Sequence, residues 1–112
     1  MRKIHWAKEY GVNPRDLQPI MRKALLIVDR AYERQNKTVT VTCTGGGSHI
    51  PTSLHPWGYA FDVRIWILTN AQKGKILHDI KQWFTGGKYQ IVREKTHFHI
   101  EYDDIKMWVN PL

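Results

Sequence analysis

The sequence predicts an α+β domain in which two main helices pack on a small antiparallel sheet. Two segments have the apolar spacing of amphipathic helices, and four short segments alternate apolar and polar residues as strands do. The chain has 112 residues and contains neither an internal repeat nor a linker. We therefore expect a single domain spanning residues 1–112, with a small core.

The two helices are predicted from the spacing of their apolar residues and from signals at their ends. The first runs from Pro19 to Gln35, and the second follows a cap at Thr69 or Asn70 and runs to about Phe84. The apolar stripe of the first helix is expected to comprise Met21, Ala24, Leu25, Val28 and Tyr32. The stripe of the second is expected to comprise Ile76, Leu77, Ile80, Trp83 and Phe84.

Strands are predicted where β-branched and aromatic residues alternate with polar ones, at 38–44, 59–67, 89–93 and 97–102. The last two segments are separated by a tight turn around Lys95 and Thr96 and should form a β-hairpin. Residues 1–11 have no clear period, so we expect an arm or a short helix there. One face of the second strand should lie in the core, with side chains from Phe61, Val63, Ile65 and Ile67.

Composition and charge restrict the possible classes of protein. The net charge of +7 suits an anionic partner such as nucleic acid, phospholipid or a cell-wall polymer. The basic residues are scattered and form no nucleic-acid motif, so we do not expect nucleic acid as the partner. We see no apolar run long enough to span a membrane and no secretory signal, so we expect the protein to be made in the cytoplasm. We also expect a monomer.

Cys43 is the single cysteine, which excludes an intramolecular disulfide. It alternates with threonines in the first predicted strand, where Val39 and Val41 hold the equivalent positions. We therefore expect a buried, small apolar residue. A role as a fourth metal ligand is the alternative.

Two segments contain most of the residues that are suited to catalysis or metal binding. Residues 53–62 supply His55 and Asp62, and residues 94–99 supply His97 and His99. Side chains two apart in a strand point the same way, so the last two imidazoles should share a face. Two histidines and one carboxylate, with a fourth position for water, form the ligand set of a catalytic zinc site.

The same residues resemble a known family. The pattern Ser-x-His-x-x-Gly-x-Ala-x-Asp, followed by a glutamate and a His-x-His, is similar to the zinc D-alanyl-D-alanine metallopeptidases. These include D-Ala-D-Ala carboxypeptidases and dipeptidases and the L-alanyl-D-glutamate endolysins of phages, with the hedgehog signalling domain as a distant structural relative. The resemblance covers residues 39–102. It implies a hedgehog-like zinc fold, a Zn²⁺ cofactor and a hydrolase that cuts peptidoglycan stem peptides at the cell wall after release or delivery. The endolysins among these relatives imply a phage as one source of such a protein.

The resemblance also implies roles for single residues. His55, Asp62 and His99 would bind zinc, because the second histidine is the ligand in relatives that end in His-x-His. His97 would then lie beside the reacting centre. In dipeptidase-like relatives a glutamate three residues before the ligand is the general base, which would make His97 the ligand and Glu94 the base. We favour His99 as the ligand, and both Glu94 and His97 remain candidates for the base.

Ser53 and Arg64 are the candidate substrate-binding residues. No Gly-x-Ser-x-Gly elbow surrounds Ser53, so hydrogen bonding suits it better than nucleophilic attack. Arg64 should share a strand face with Asp62. The family usually has an arginine in a Gly-Tyr-Arg-Ser-like segment upstream, where residues 42–45 read Thr-Cys-Thr-Gly instead. A non-catalytic zinc-binding interaction module is therefore the alternative function.

Overall fold

The computed structural model of the chain describes residues 4–7, 11–44, 58–84 and 87–102. The strands are β1 (His5–Trp6), β2 (Thr40–Cys43), β3 (Ala60–Arg64), β4 (Tyr89–Arg93) and β5 (His97–Tyr102). The helices are α1 (Pro19–Arg34) and α2 (Asn70–Trp83), with a short 3-10 helix at Pro14–Asp16. Neither α1 nor α2 is long and apolar enough to cross a membrane.

The described strands form one five-stranded sheet in the order β1-β2-β3-β5-β4. The α+β class and the hairpin of β4 and β5 are confirmed, since these two strands pair antiparallel around a short turn. The sheet is mixed rather than wholly antiparallel, because β1 runs parallel to β2. The expected arm or helix at the N-terminus was wrong for the described residues there. His5 N–H donates to the Val39 carbonyl at 2.9 Å, and a strand of two residues is too short to give a periodic signal.

Helix α1 buries the stripe that its spacing predicted. All five of its expected core residues are buried, together with Ala31. Pro19 begins the helix, where its missing N–H costs no hydrogen bond. The helix ends at Arg34, so the predicted last residue, Gln35, is its C-terminal cap.

Helix α2 begins with a capping box. The Thr69 hydroxyl accepts from Gln72 N–H at 3.1 Å, and the Gln72 side chain accepts from Thr69 N–H at 2.9 Å. Thr69 is thus the cap and Asn70 the first helical residue. Ile76, Ile80 and Phe84 are buried as expected, and Leu77 is partly buried. The prediction for Trp83 was wrong: the residue is 58% exposed and lines a pocket beside Leu26 and Ile27 of α1.

The sheet has one face in the core and one face that carries polar side chains. The core face contributes Phe61 and Val63 from β3 and Phe98 and Ile100 from β5, all packed in one cluster with the buried residues of both helices. Strand β3 ends at Arg64 instead of continuing to Ile67. Beyond it the chain turns, Leu68 N–H donates to the Ile65 carbonyl, and Ile67 is exposed, which corrects its predicted place in the core.

Tyr32 links helix α1 to the end of β3. Its hydroxyl donates to the Arg64 carbonyl at 2.8 Å. Burial raises the pKa of Tyr32 well above that of an exposed tyrosine, since the phenolate would lose its hydration. The hydroxyl therefore stays protonated and keeps donating. This bond fixes the backbone from which the Arg64 side chain extends.

We expect Phe98→Ala to lower the free energy of unfolding by about 3–5 kcal/mol. Phe98 is fully buried on β5, between β3 and β4, so truncation leaves a cavity in the centre of the core. Urea denaturation measures the change. Val92→Ala is the control, since Val92 lies in the neighbouring strand with 44% of its surface exposed and should cost less than about 1 kcal/mol. Equal losses in the two variants would contradict the described core.

Candidate metal centre

Strands β3 and β5 bring four of the predicted site residues to one face of the sheet. Asp62 pairs with His99 in the antiparallel register, and Arg64 pairs with His97. Because the residues between them point into the core, these four side chains project from the opposite face. The alternation of side chains in β3 and β5 therefore brings these four polar side chains together on one face of the sheet.

Asp62 lies between two imidazole rings. Its Oδ1 is 2.8 Å from Nδ1 of His99, and its Oδ2 is 3.6 Å from Nε2 of His97. The side chains of Asp62, His99 and His97 are 16%, 20% and 31% exposed, respectively. All three side chains are thus mostly covered by protein and are still open to solvent and to a ligand.

Glu101 approaches His99 from the other side of its ring. Glu101 Oε1 is 3.0 Å from Nε2 of His99. An ionised carboxylate only accepts hydrogen bonds, and a neutral imidazole has a single N–H, so a neutral His99 donates to only one of these two carboxylates at a time. If Nδ1 gives its lone pair to a metal, the N–H on Nε2 is left to donate to Glu101. That arrangement, a metal-bound histidine backed by a carboxylate, is common in zinc proteins, and the donor chemistry here fits it.

The predicted ligand set is only partly within the described residues. Asp62 and His99 are adjacent there, whereas His55 lies outside them, as does Ser53. Among the residues that the structure describes, no three His, Cys, Asp or Glu side chains form a metal-binding group by themselves. Asp62 and His99 are suited to provide two of the three protein ligands of a catalytic zinc site.

The fixed glycine and alanine of the first motif have structural reasons. Gly58 has a φ of 79°, which favours glycine, and a Cβ there would collide with the carbonyl oxygen of Asp16. Its own carbonyl accepts from Gln18 N–H at 3.0 Å. Ala60 is fully buried at the start of β3. Gly58 therefore lets the chain pass closely beside the 3-10 helix, and the small side chain of Ala60 fits the buried start of β3 just before Asp62.

The two candidates for the general base lie in different surroundings. His97 Nδ1 is 3.0 Å from the Thr96 hydroxyl, and its Nε2 faces Asp62. Glu94 is exposed in the hairpin turn, where its backbone N–H donates to the His97 carbonyl at 2.8 Å. The carboxylate within hydrogen-bond distance of His99 Nε2 is that of Glu101, which was not among the predicted site residues. The His-x-Glu spacing, which puts both side chains on one strand face, was the signal for it.

A β-bulge changes the orientation of Cys43. Val41 pairs with Val63, but Cys43 pairs with Asp62, so β2 has one extra residue, Thr42, between these pairs. Cys43 is partly exposed rather than buried, which corrects the prediction. The bulge turns it from the core face to the face that carries Asp62. Its alternative role as a metal ligand stays a prediction.

A pocket of about 230 Å³ adjoins His97. It is lined by Thr42, Arg64, Trp66, Thr96 and His97. The guanidinium of Arg64 stacks over the Trp66 ring, 4.4 Å from its centre. Sequence reasoning selected Arg64 but missed Thr42 and Trp66, because a bulge and a turn after β3 bring them to the pocket.

No family model, curated protein or solved structure matches this chain. The metal-site hypothesis therefore depends on the residues and contacts themselves. The cross-strand pair of Asp62 and His99, with Glu101 behind the imidazole, is its main structural support.

If His99 is a zinc ligand, Glu101→Ala is expected to weaken zinc affinity by about 10–100-fold, because the carboxylate that orients the imidazole is lost. Glu101→Gln should recover part of the affinity, since its amide oxygen still accepts from Nε2–H. Competition with a chelator measures the affinity. Thr96→Val is the matched control: it removes the hydroxyl beside His97, so it should leave zinc affinity unchanged if His99 is the ligand. A loss in Thr96→Val without one in Glu101→Ala would identify His97 as the ligand instead.

Proposed function

We propose that this protein is a zinc-dependent peptidase that acts on peptidoglycan peptides, as a D-Ala-D-Ala carboxypeptidase or an L-Ala-D-Glu endopeptidase. His55, Asp62 and His99 would hold the Zn²⁺. The observation that carries the proposal is the contact of 2.8 Å between Asp62 and His99 on the solvent-accessible side of the sheet. The presence of His97 beside the same carboxylate favours catalysis over simple metal binding.

Each side chain of the site would have a distinct role in this mechanism. Bound zinc would lower the pKa of a coordinated water to roughly 7 and polarise the scissile carbonyl. Glu101 orients the ring of His99. If His97 donates Nδ1–H to the Thr96 hydroxyl, its Nε2 has a lone pair and can take the proton from the attacking water. The same nitrogen then returns the proton to the leaving amine. Glu94 is the second candidate for this role.

The proposed partners and location suit the surface charge. A net charge of +7 favours binding to the anionic bacterial cell wall. The enzyme would act there as a monomer on stem peptides, after release from the cytoplasm or delivery, as a phage-encoded protein would. Nucleic acid remains an unfavoured partner, because the basic residues are scattered along the sequence.

The test is incubation of the zinc-loaded protein with purified peptidoglycan and with stem peptides that end in D-Ala-D-Ala. Mass spectrometry then identifies the products. A new amine at L-Ala-D-Glu indicates the endopeptidase, and released D-alanine indicates the carboxypeptidase. Protein treated with a chelator is the control. If the folded, fully metallated protein cuts none of these substrates, the alternative is favoured: a non-catalytic zinc-binding interaction module, which the missing upstream arginine also suits.

A further inference from the structure

The pocket beside His97 has the chemistry of an anion site. Arg64 supplies a permanent positive charge, and Thr42 and Thr96 supply hydroxyl groups. A guanidinium presents several N–H donors in one plane, which matches the two oxygens of a carboxylate. Among the described residues that line the pocket, no carboxylate competes for this charge.

Arg64 is held in place from two directions. The Tyr32 hydroxyl fixes its backbone carbonyl at 2.8 Å. The ring of Trp66 supports the face of its guanidinium, at 4.4 Å. Stacking uses the face of the group, while its N–H donors lie in the plane and can bind a ligand. A side chain restrained in this way loses less conformational entropy when it binds, which favours affinity.

The position of the pocket relates it to the reacting bond. His97 lines the pocket and also faces Asp62, so it belongs to both sites. A group bound by Arg64 would therefore lie close to the bond that is cut. The pocket is thus suited to the residue next to that bond rather than to a distant part of the wall.

We propose that this pocket binds a free α-carboxylate on the residue that leaves as the amine. The inference rests on the proposed function and names what its two possible substrates share. In D-Ala-D-Ala the leaving D-alanine has a free α-carboxylate. In L-Ala-D-Glu the glutamate continues the peptide through its side chain, so its α-carboxylate is free as well. In both substrates the carboxylate is on the carbon that bears the new amine. Peptides with an α-carboxamide at that carbon are therefore expected to be poor substrates.

The test compares peptides that differ only at this group: an acylated D-Ala-D-Ala with its C-terminal amide, and an L-Ala-D-Glu peptide with its α-amide. For the wild-type protein we expect kcat/KM to fall by about 10–100-fold on amidation, because a charge-assisted pair is lost. In Arg64→Gln, kcat/KM should fall by a similar factor for the carboxylate peptides and should change little for the amides. The preference for the carboxylate form then disappears. Arg30→Gln, which removes an exposed arginine from α1, should keep the preference.

Binding of the same peptides to the zinc-loaded protein, measured by calorimetry, separates this inference from the proposed function. If no peptide is cut, the peptidase is contradicted, and a preference for the carboxylate form that Arg64→Gln abolishes still supports the pocket. Equal cleavage and equal binding of the two forms by the wild-type protein would overturn the inference. A preference that survives in folded Arg64→Gln would do the same. If that variant fails to fold, Thr42→Val should reduce the preference, and an unchanged preference there rejects the pocket.

Discussion

Asp62→Ala is expected to abolish zinc binding and peptidase activity together. The carboxylate is the residue that both imidazoles face, and two histidines without it give an incomplete catalytic zinc site. The variant should also lose the stabilisation by zinc, which amounts to about 2.7 kcal/mol when free zinc is 100 times its Kd. Metal analysis and thermal melts with and without a chelator measure the two effects.

Glu33→Gln is the matched control for Asp62→Ala. Glu33 is an exposed carboxylate on α1, the helix that packs against the other face of the sheet. This variant should retain zinc, activity and the effect of the chelator on the melting temperature. If Asp62→Ala binds zinc as tightly as the wild-type protein, Asp62 is not a ligand.

His97→Ala is expected to keep zinc and to lose about 10²–10⁴-fold in kcat, the usual contribution of a general base. The reason is its position, with Nε2 at 3.6 Å from Asp62 and Nδ1 beside the Thr96 hydroxyl. Glu94→Gln is the parallel variant, and the same loss there would make Glu94 the base. Steady-state kinetics on a stem peptide, with zinc content measured on the same samples, separates these results.

The same pair of histidines tests the choice of ligand. His99→Ala should lose zinc, because its Nδ1 is the nitrogen closest to Asp62. Loss of zinc in His97→Ala, with zinc retained in His99→Ala, would reverse the two roles. Glu94 would then be placed three residues before the ligand, as in the dipeptidase-like pattern.

Much of the fold was predictable because local patterns determine it. Helix α1 has a complete apolar stripe, and the capping box of Thr69 and Gln72 marks the start of α2. The hairpin follows from two alternating segments with a short turn between them. Strand β1 was not predictable, since its two residues form a strand only because the backbone of β2 lies beside them. Ile67 was misjudged because the strand pattern was extended beyond Arg64, where β3 ends. Trp83 was misjudged because it was placed in one stripe with Phe84, which packs in the core while Trp83 stays exposed.

The site was predictable where it depends on alternation within a strand. That rule places His97 and His99 on one face, and the pairing of β3 with β5 adds Asp62 and Arg64. The bulge at Thr42 was not predictable, because its own segment alternates regularly and the shift exists only relative to β3. The contact of Arg64 with Trp66 depends on how the chain turns after β3, which the sequence pattern does not specify.

Zinc content of the protein purified without added metal tests the central claim most directly. We predict close to one equivalent of zinc per chain, which the double variant His55→Ala, Asp62→Ala loses. In the proposed centre the ligands are three side chains and a water, so removing two of the side chains would leave too few donors to hold the ion. Full zinc occupancy in the double variant, or a wild-type protein that stays free of zinc when the metal is supplied, would contradict the proposed centre.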